Sequence, residues 1–400
     1  MAIQPTVNRH ESLDVLRGVA VLGIFMMNMQ IFAMVPSAYQ FPPTHMDFSG
    51  ANQSVWWFAH VFFEMKFITI FSTLFGAGII LMVGEDKPSD KIGLHYRRMV
   101  WLLIIGMLHA YFIWFGDILT NYAIIGMLAV LMRGWSPRTM VIVGMVFISI
   151  AVALMAMFYF SLPYFPEEAL SEVVYSPEKV EEIVATYQAG GWGRVGFNAL
   201  MAVNGQFGGL IIFGPRTLGL MLIGMALFKS GFITAQWSAR SYLIGAVLTL
   251  PFLAAPVWGA NHLIATEFAL EEYFAGAFPN VVASLPIAFG YACVVMLICK
   301  IAGLGLLRAP FAAAGRMAFT NYLTQSLIGI FVFTGPPGLG YFGEWERVQQ
   351  FQLVLGVWAL QLVWSVLWLR LFRFGPFEWL WRTLSYGRLQ PITKPKAAAA

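Results

Sequence analysis

The sequence predicts an all-α fold: a polytopic integral membrane helical bundle of about ten transmembrane helices, with both termini expected on the cytoplasmic side (N-in, C-in). Three observations predict it. Of 400 residues, 59% are hydrophobic and only 11% are charged, where a soluble domain carries roughly 25% charged residues. Mean hydropathy is +0.72, and apolar runs recur at the roughly 20-residue length that a helix needs to cross the hydrocarbon core. Third, the basic residues fall unevenly among the connections. With the N-terminus inside, 19 of the 24 Lys and Arg lie in inside segments. Outside segments then hold only Lys179, Arg194 and Arg347, and Lys66 and Arg216 fall within spans. That is the asymmetry of the positive-inside rule.

The spans are expected near 14–34, 58–82, 97–115, 118–133, 138–161, 207–229, 240–259, 279–303, 315–334 and 348–373. The first starts at Val15 and lacks a small-residue cleavage site, so it is expected to remain as a span. The fourth is short, and the sixth contains Pro215. Residues 195–206 are fairly apolar and are expected as a re-entrant or interfacial piece. Residues 1–390 form one transmembrane domain. Within it, 162–206 is the single long connection, extracytoplasmic and rich in Glu, and a connection of that length suits a lid. Inside it, Ser176-Pro177-Glu178 should open a short capped helix that ends at Gly190-Gly191. Residues 391–400 read as a disordered, basic cytoplasmic tail. The two cysteines, Cys293 and Cys299, are six apart on one helix and suggest neither a disulfide framework nor a metal site. The small basic excess reads as topology, and no nucleic-acid partner is expected.

Ionisable groups at membrane depth are costly, and each is a candidate site. Arg97 to Gly126 holds His109 inside a span, Asp117 at a turn after Gly116, then Asn121 and Tyr122. Asp117 suits the N-cap of the following helix and is also the natural carboxylate to orient His109. Lys66 can snorkel to the boundary or pair with Asp117. Thr69, Thr73, Gly76 and Ala77 form a small-residue stripe for close helix packing. At the cytoplasmic end, Asp14 and Arg17 are three apart and can pair, leaving Arg17 placed to grip a phosphate or carboxylate. Arg316 opens span nine. Asn321 and Gln325, four apart, serve either as interhelical amide bonds or as a polar track from a cytoplasmic site. Glu378, Trp379, Trp381 and Arg382 make an interfacial helix after Gly375-Pro376.

SLDVLRGVAVLGI, KFITIFSTLFGAG, LHAYFIWFGDILTNYAIIG, GRMAFTNYLTQSLI and FGPFEWLWR, in that order, resemble the YeiB family of bacterial inner-membrane proteins, over about residues 12 to 385. That family is named for a domain of unknown function and is loosely described as transport-related. The opening SLDVLRG block and the second span ending FGAG are also distantly similar to the heparan glucosaminide acetyltransferases and other transmembrane acyltransferases. This resemblance implies acyl transfer from cytoplasmic acyl-CoA, not tightly held, to an acceptor on the far side through a far-side histidine. In those enzymes the histidine lies between the first two spans, where this chain offers His45, with His60 close by.

Three functions follow as expectations. In acyl transfer, His109 or His45 is the base, Asp117 its orienting partner, Asn121, Tyr122 or Lys66 the polarising donors, and Arg17 and Arg316 the phosphate clamps. The acceptor is a small molecule, a lipid or a glycan. In transport of an organic anion or lipid, Lys66 and Arg216 form the anion site and His109 with Asp117 a proton relay. In a scaffold, the same groups serve packing among membrane lipids. The small-residue stripes permit a homodimer.

Overall fold

The computed structural model describes residues 10–85 and 90–394, and among them every regular element is helical. The first helix, α1 (Glu11–Ala33), carries Glu11 and Asp14 in its first turn, where carboxylates complement the helix dipole. It is the central post of the bundle, buried along most of its length. A short α2 (Ser37–Gln40) and a loop lead to α3 (Gly50–Phe62) and α4 (Lys66–Val83), two halves of one 34-residue apolar arm. The arm breaks because Met65 takes a left-handed conformation, φ 63°, and because Phe63 and Glu64 both donate back to the Ala59 carbonyl. Then come α5 (Ile92–Leu108), a π-helical turn (His109–Ile113) and α6 (Leu119–Ala129). Helix α7 (Pro137–Ser161) starts with Pro137 at its first position and Ser136 accepting from the Thr139 N–H.

The connection that follows holds α8 (Glu167–Leu170) and α9 (Pro177–Ala189). As the Ser-Pro-Glu signal requires, the Ser176 hydroxyl accepts from the Lys179 N–H, and the helix ends at Gly190, φ 66°. Next is α10 (Gly191–Lys229), 39 residues long. It absorbs 195–206, expected as a separate re-entrant piece, into one helix of about 58 Å, nearly twice the hydrocarbon thickness. Pro215 lies inside it without ending it. Helices α11 (Ala239–Thr249) and α12 (Ala254–Ala265) are one arm, stepped by a 3-10 turn at Leu250–Leu253 that contains Pro251. Helix α13 runs Leu270–Lys300. The expected ninth span, 315–334, is a short apolar α15 (Ala318–Phe333), and an amphipathic α14 (Gly305–Arg316) that the span list lacks precedes it. Helix α16 (Arg347–Leu371) opens with a Glu346/Gln349 capping box, and α17 (Pro376–Tyr386) closes the chain.

Seven of these arms are long and apolar enough to cross a membrane, and Leu119–Met132 and Ala318–Phe333 are shorter apolar helices. The bundle is therefore an all-α polytopic one. Helix α1 packs on α4, α13, α14, α15 and α16. Helices α7, α11 and α16 bury few of their residues inside the bundle, as lipid-facing helices must. The predicted small-residue stripe is a packing seam: a Cβ on Gly76 would strike the Met221 backbone of α10, and one on Gly224 would strike that of Thr73. Of the expected tail, residues 391–394 are held against the end of α16: Arg373 N–H donates to Ile392 O at 2.8 Å, and Phe372 bridges Thr393. Its end, 395–400, lies outside the described residues, as do Arg9 and Lys87 of the charge count.

Candidate functional site

His109 is the first residue of the π turn, whose wider pitch is closed by Trp114 N–H donating to His109 O at 2.8 Å. A helix end in an apolar bundle leaves carbonyls that need partners. Here α10 supplies them. Asn198 Nδ2 donates to Ala110 O and Tyr111 O at 2.6 and 2.9 Å, and its Oδ1 accepts from Phe115 N–H at 2.7 Å. Arg194 donates to Ile113 O and Phe112 O at 2.8 and 3.1 Å. Latched in this way, the chain turns extended at Trp114 and folds back through Gly116, where any Cβ would fall onto the Trp114 ring.

The turn brings Asp117 to His109. Asp117 Oδ1 lies 2.9 Å from His109 Nδ1, and both side chains are buried, 1% and 2% exposed. Oδ2 accepts from the Thr120 N–H at 2.8 Å. Asp117 thus caps α6 and orients the histidine at once, as its position in the sequence suggests. With Nδ1–H donating to the carboxylate, Nε2 carries the lone pair, the arrangement of a general base. Among the described residues, Nε2 has no hydrogen-bond partner. The rings of Tyr322 and Trp114 flank the imidazole at 5.5 and 6.3 Å.

Asp117 stands in the wall of a cavity of about 1010 Å³ between α4, α5, α6 and α10. Most of its surface is aliphatic and aromatic. The polar exceptions include Asn121, which donates to Thr217 Oγ1 at 3.0 Å, and Tyr122, whose hydroxyl meets Ser72 Oγ at 2.8 Å. Both therefore stand in the same wall as Asp117. Arg216, on the turn of α10 before Thr217, also reaches this wall. Its Nη2 donates to Thr69 Oγ1 at 2.6 Å and to Ser284 Oγ at 3.1 Å.

Lys66 is not paired with Asp117. It is fully buried, and its Nζ donates to His60 O at 3.0 Å and to Asn280 Oδ1. The cause is the break between α3 and α4: the turn at Phe63 and Glu64 takes Ala59 O twice and leaves the His60 carbonyl to be satisfied from a side chain. Glu64 pairs with His60 Nδ1 and accepts from Asn280 Nδ2 at 3.1 Å. Glu64, Asn280, Ser284, Asn198 and the role of Arg194 escape sequence reading. Their signal is a polar residue inside an apolar run, with Asn280 and Ser284 one helical turn apart.

His45 is not brought to the cavity either. It lies in the connection between α1 and α3, 8% exposed, with Nδ1 accepting from Val35 N–H at 3.3 Å. Burial, then the nearby Arg347 guanidinium, lowers its pKa to about 4. Among the described residues no carboxylate lies within ion-pairing distance of it, so it lacks the orienting partner that His109 has.

At the other end of α1, Arg17 Nη1 lies 3.4 Å from Asp14 Oδ1, as the three-residue spacing predicts. Helix α14, which ends at Arg316, packs on this turn so closely that a Cβ on Gly18 would strike Phe311 O, and one on Gly315 would strike Asp14 O. Asn321 and Gln325 form no track toward the cavity. Asn321 Nδ2 donates to Ala314 O and Ser365 Oγ, both at 3.1 Å. Gln325 Nε2 donates to Gln361 Oε1 at 2.9 Å and to Val21 O at 3.3 Å. These are interhelical bonds that tie α15 to α1, α14 and α16. Glu378 reaches in from α17 and accepts from Phe319 N–H and Thr320 N–H at 2.7 and 3.0 Å, closing the start of α15. Burial raises its pKa, against the pull of those donors.

A family described as "Protein of unknown function (DUF418)" matches residues 227–388. Over nearly the whole chain there is similarity to the uncharacterized protein YxaH of Bacillus subtilis, 30% identical over 98% of each sequence. The uncharacterized protein YeiB of Escherichia coli is 29% identical over 94% of this chain and 96% of its own length. An uncharacterized 39.9 kDa protein in the amylase 3' region of Bacillus acidopullulyticus is 26% identical over 97% and 96%. His109, Asp117 and Arg216 precede the segment matched by the family, yet fall within the length shared with these relatives.

Proposed function

The chain belongs to the DUF418 family, that of YeiB and YxaH, and we propose that it is an acyltransferase of the bacterial inner membrane, N-in and C-in, moving an acyl group from cytoplasmic acyl-CoA to an acceptor at the opposite face. The observation that carries this reading is the His109–Asp117 pair beside an intramembrane cavity of about 1010 Å³. An acceptor O–H or N–H loses its proton to His109 Nε2 as its heteroatom bonds the thioester carbonyl carbon. The C–S bond then breaks, and the CoA thiolate leaves and is protonated. Asp117 keeps the imidazole in the basic tautomer and offsets the charge it gains. Asn121 and Tyr122, in the cavity wall, are the donors for the carbonyl oxygen. Arg17 and Arg316 hold the CoA phosphates.

The test uses purified, reconstituted full-length protein. Wild type binds acyl-CoA and transfers its acyl group; Arg17→Ala and Arg316→Ala lose binding. His109→Ala keeps binding and loses turnover by about a hundredfold or more. Failure of the wild type to bind acetyl- and long-chain acyl-CoA overturns the reading. A second reading, movement of an organic anion or lipid, is supported by Arg216 in the cavity wall. It requires substrate-dependent proton flux in vesicles that Asp117→Asn alters.

A further inference from the structure

The cavity reaches the outer surface of the bundle. Met107 and Leu108 of α5 and Phe207 of α10 line it, yet they are 38%, 54% and 76% exposed. A side chain that both lines a cavity and faces the surroundings marks its mouth, and in a membrane-spanning bundle that mouth faces acyl chains. The seam between α5 and α10 is thinly closed there. Tyr111 donates to Gln206 Oε1 at 3.1 Å, Gln206 Nε2 reaches Met107 Sδ at 3.8 Å, and beside them stand Gly205 and Gly208, with open space where a Cβ would be. A long chain can enter sideways between these helices without unpacking a core.

Around the cavity the ionisable groups are unequally paired. Behind its wall, Lys66 has Glu64 close by, on the shared amide of Asn280, and Asp117, in the wall, is engaged by His109. Arg216 is 6% exposed and donates to the hydroxyls of Thr69 and Ser284; among the described residues no carboxylate lies within ion-pairing distance of it. A guanidinium in an apolar bundle without a counter-ion is costly, and a bound anion relieves that cost. A planar fork of donors suits a carboxylate or a phosphate equally. The volume, about 1010 Å³, is at the top of the range for small-molecule sites, roughly 300–1,000 Å³.

We propose that this cavity binds a single-chain membrane amphiphile with an anionic head, which enters from the lipid between α5 and α10 and is held at its head by Arg216. The proposal rests on the acyl-transfer reading only in naming the class of lipid which that site takes; the binding itself does not need turnover.

The experiment places the full-length protein in zwitterionic nanodiscs and measures displacement of a dansyl-labelled fatty acid. The competitors share one chain length: palmitic acid, palmitoyl lysophosphatidic acid and the neutral hexadecanol. At least one anionic competitor should bind about tenfold or more tightly than hexadecanol, and which one does tells carboxylate from phosphate. Arg216→Gln should abolish that preference and leave hexadecanol unchanged, and Arg216→Lys should keep part of it. Gly208→Trp, at the mouth and away from Arg216, should slow association about fivefold or more with little change in final affinity. Equal binding of all three competitors by the wild type overturns the proposal whether or not the Arg216 variants fold. So does an anion preference that survives in Arg216→Gln. Anion-selective binding without acyl turnover would sink the acyltransferase reading alone; turnover without anion selectivity would sink this inference alone.

Discussion

Asp117 holds two bonds with two oxygens, one to His109 and one to the start of α6, and the two can be separated. In Asp117→Asn the amide oxygen can still accept from Thr120, so α6 keeps its cap, but the negative charge that stabilises an imidazolium is gone. Transfer rate should fall about a hundredfold or more, while the thermal unfolding midpoint, followed by tryptophan fluorescence, changes by only a few degrees. A loss of folding equal to the loss of rate would make Asp117 a cap and nothing more. This pair was legible because ionisable residues stand out in apolar sequence. Lys66 stands out equally, yet its partners, His60 O and Asn280, are neither the boundary nor Asp117, because they are set by a left-handed Met65 that no hydrophobic pattern announces.

His45 makes a prediction of the opposite kind. Its folded pKa, about 4, lies below its ordinary value of 6.5. At pH 4 to 6.5 the unfolded chain therefore binds a proton that the folded one refuses. Stability is whole above pH 6.5 and is lost as pH falls toward 4, by at most roughly 3 kcal/mol from this group. His45→Asn keeps an acceptor for the Val35 N–H and should flatten that part of the pH–stability profile, read as unfolding midpoints between pH 4.5 and 7.5. An unchanged profile would mean that His45 is protonated in the folded protein.

At the scale of elements, the site depends on how α5 ends: side chains from α10 satisfy the carbonyls that its π turn leaves free. Asn198→Ala removes the partners of Ala110 O, Tyr111 O and Phe115 N–H together. Each buried group left unbonded costs about 1–3 kcal/mol, so the unfolding midpoint should drop by several degrees. The transfer rate should fall further than stability alone explains, because His109 is the first residue of that turn. Full activity in a destabilised Asn198→Ala would show that the latch is merely structural. The element pattern itself was readable wherever an apolar run or a cap such as Ser176-Pro177 carried it. The 39-residue α10 was not, because Asn198, Asn204 and Gln206 interrupt its hydropathy, and two of these interruptions, Asn198 and Gln206, prove to be contacts to α5 and its π turn.

For the whole molecule, the charge asymmetry predicts that α9 and the Arg17 end lie on opposite sides of the membrane. Lys and Arg flanking short connections are retained inside, and inverting the chain would carry 19 of 24 basic residues across. The acyl-transfer reading needs that same orientation, since acyl-CoA is cytoplasmic and Arg17 and Arg316 must meet it. Two exposed positions report it, Glu181 on α9 and Arg388 after α17. Single cysteines are placed at each in a chain with Cys293 and Cys299 replaced, and intact cells or spheroplasts are treated with a membrane-impermeant maleimide. Glu181→Cys should label at once, and Arg388→Cys only after the membrane is opened. The reverse pattern would put His109 and its cavity at the wrong end for a far-side acceptor. It would leave the proposed anion site at Arg216 intact but remove the proposed acyl-CoA clamp from the compartment that supplies the thioester.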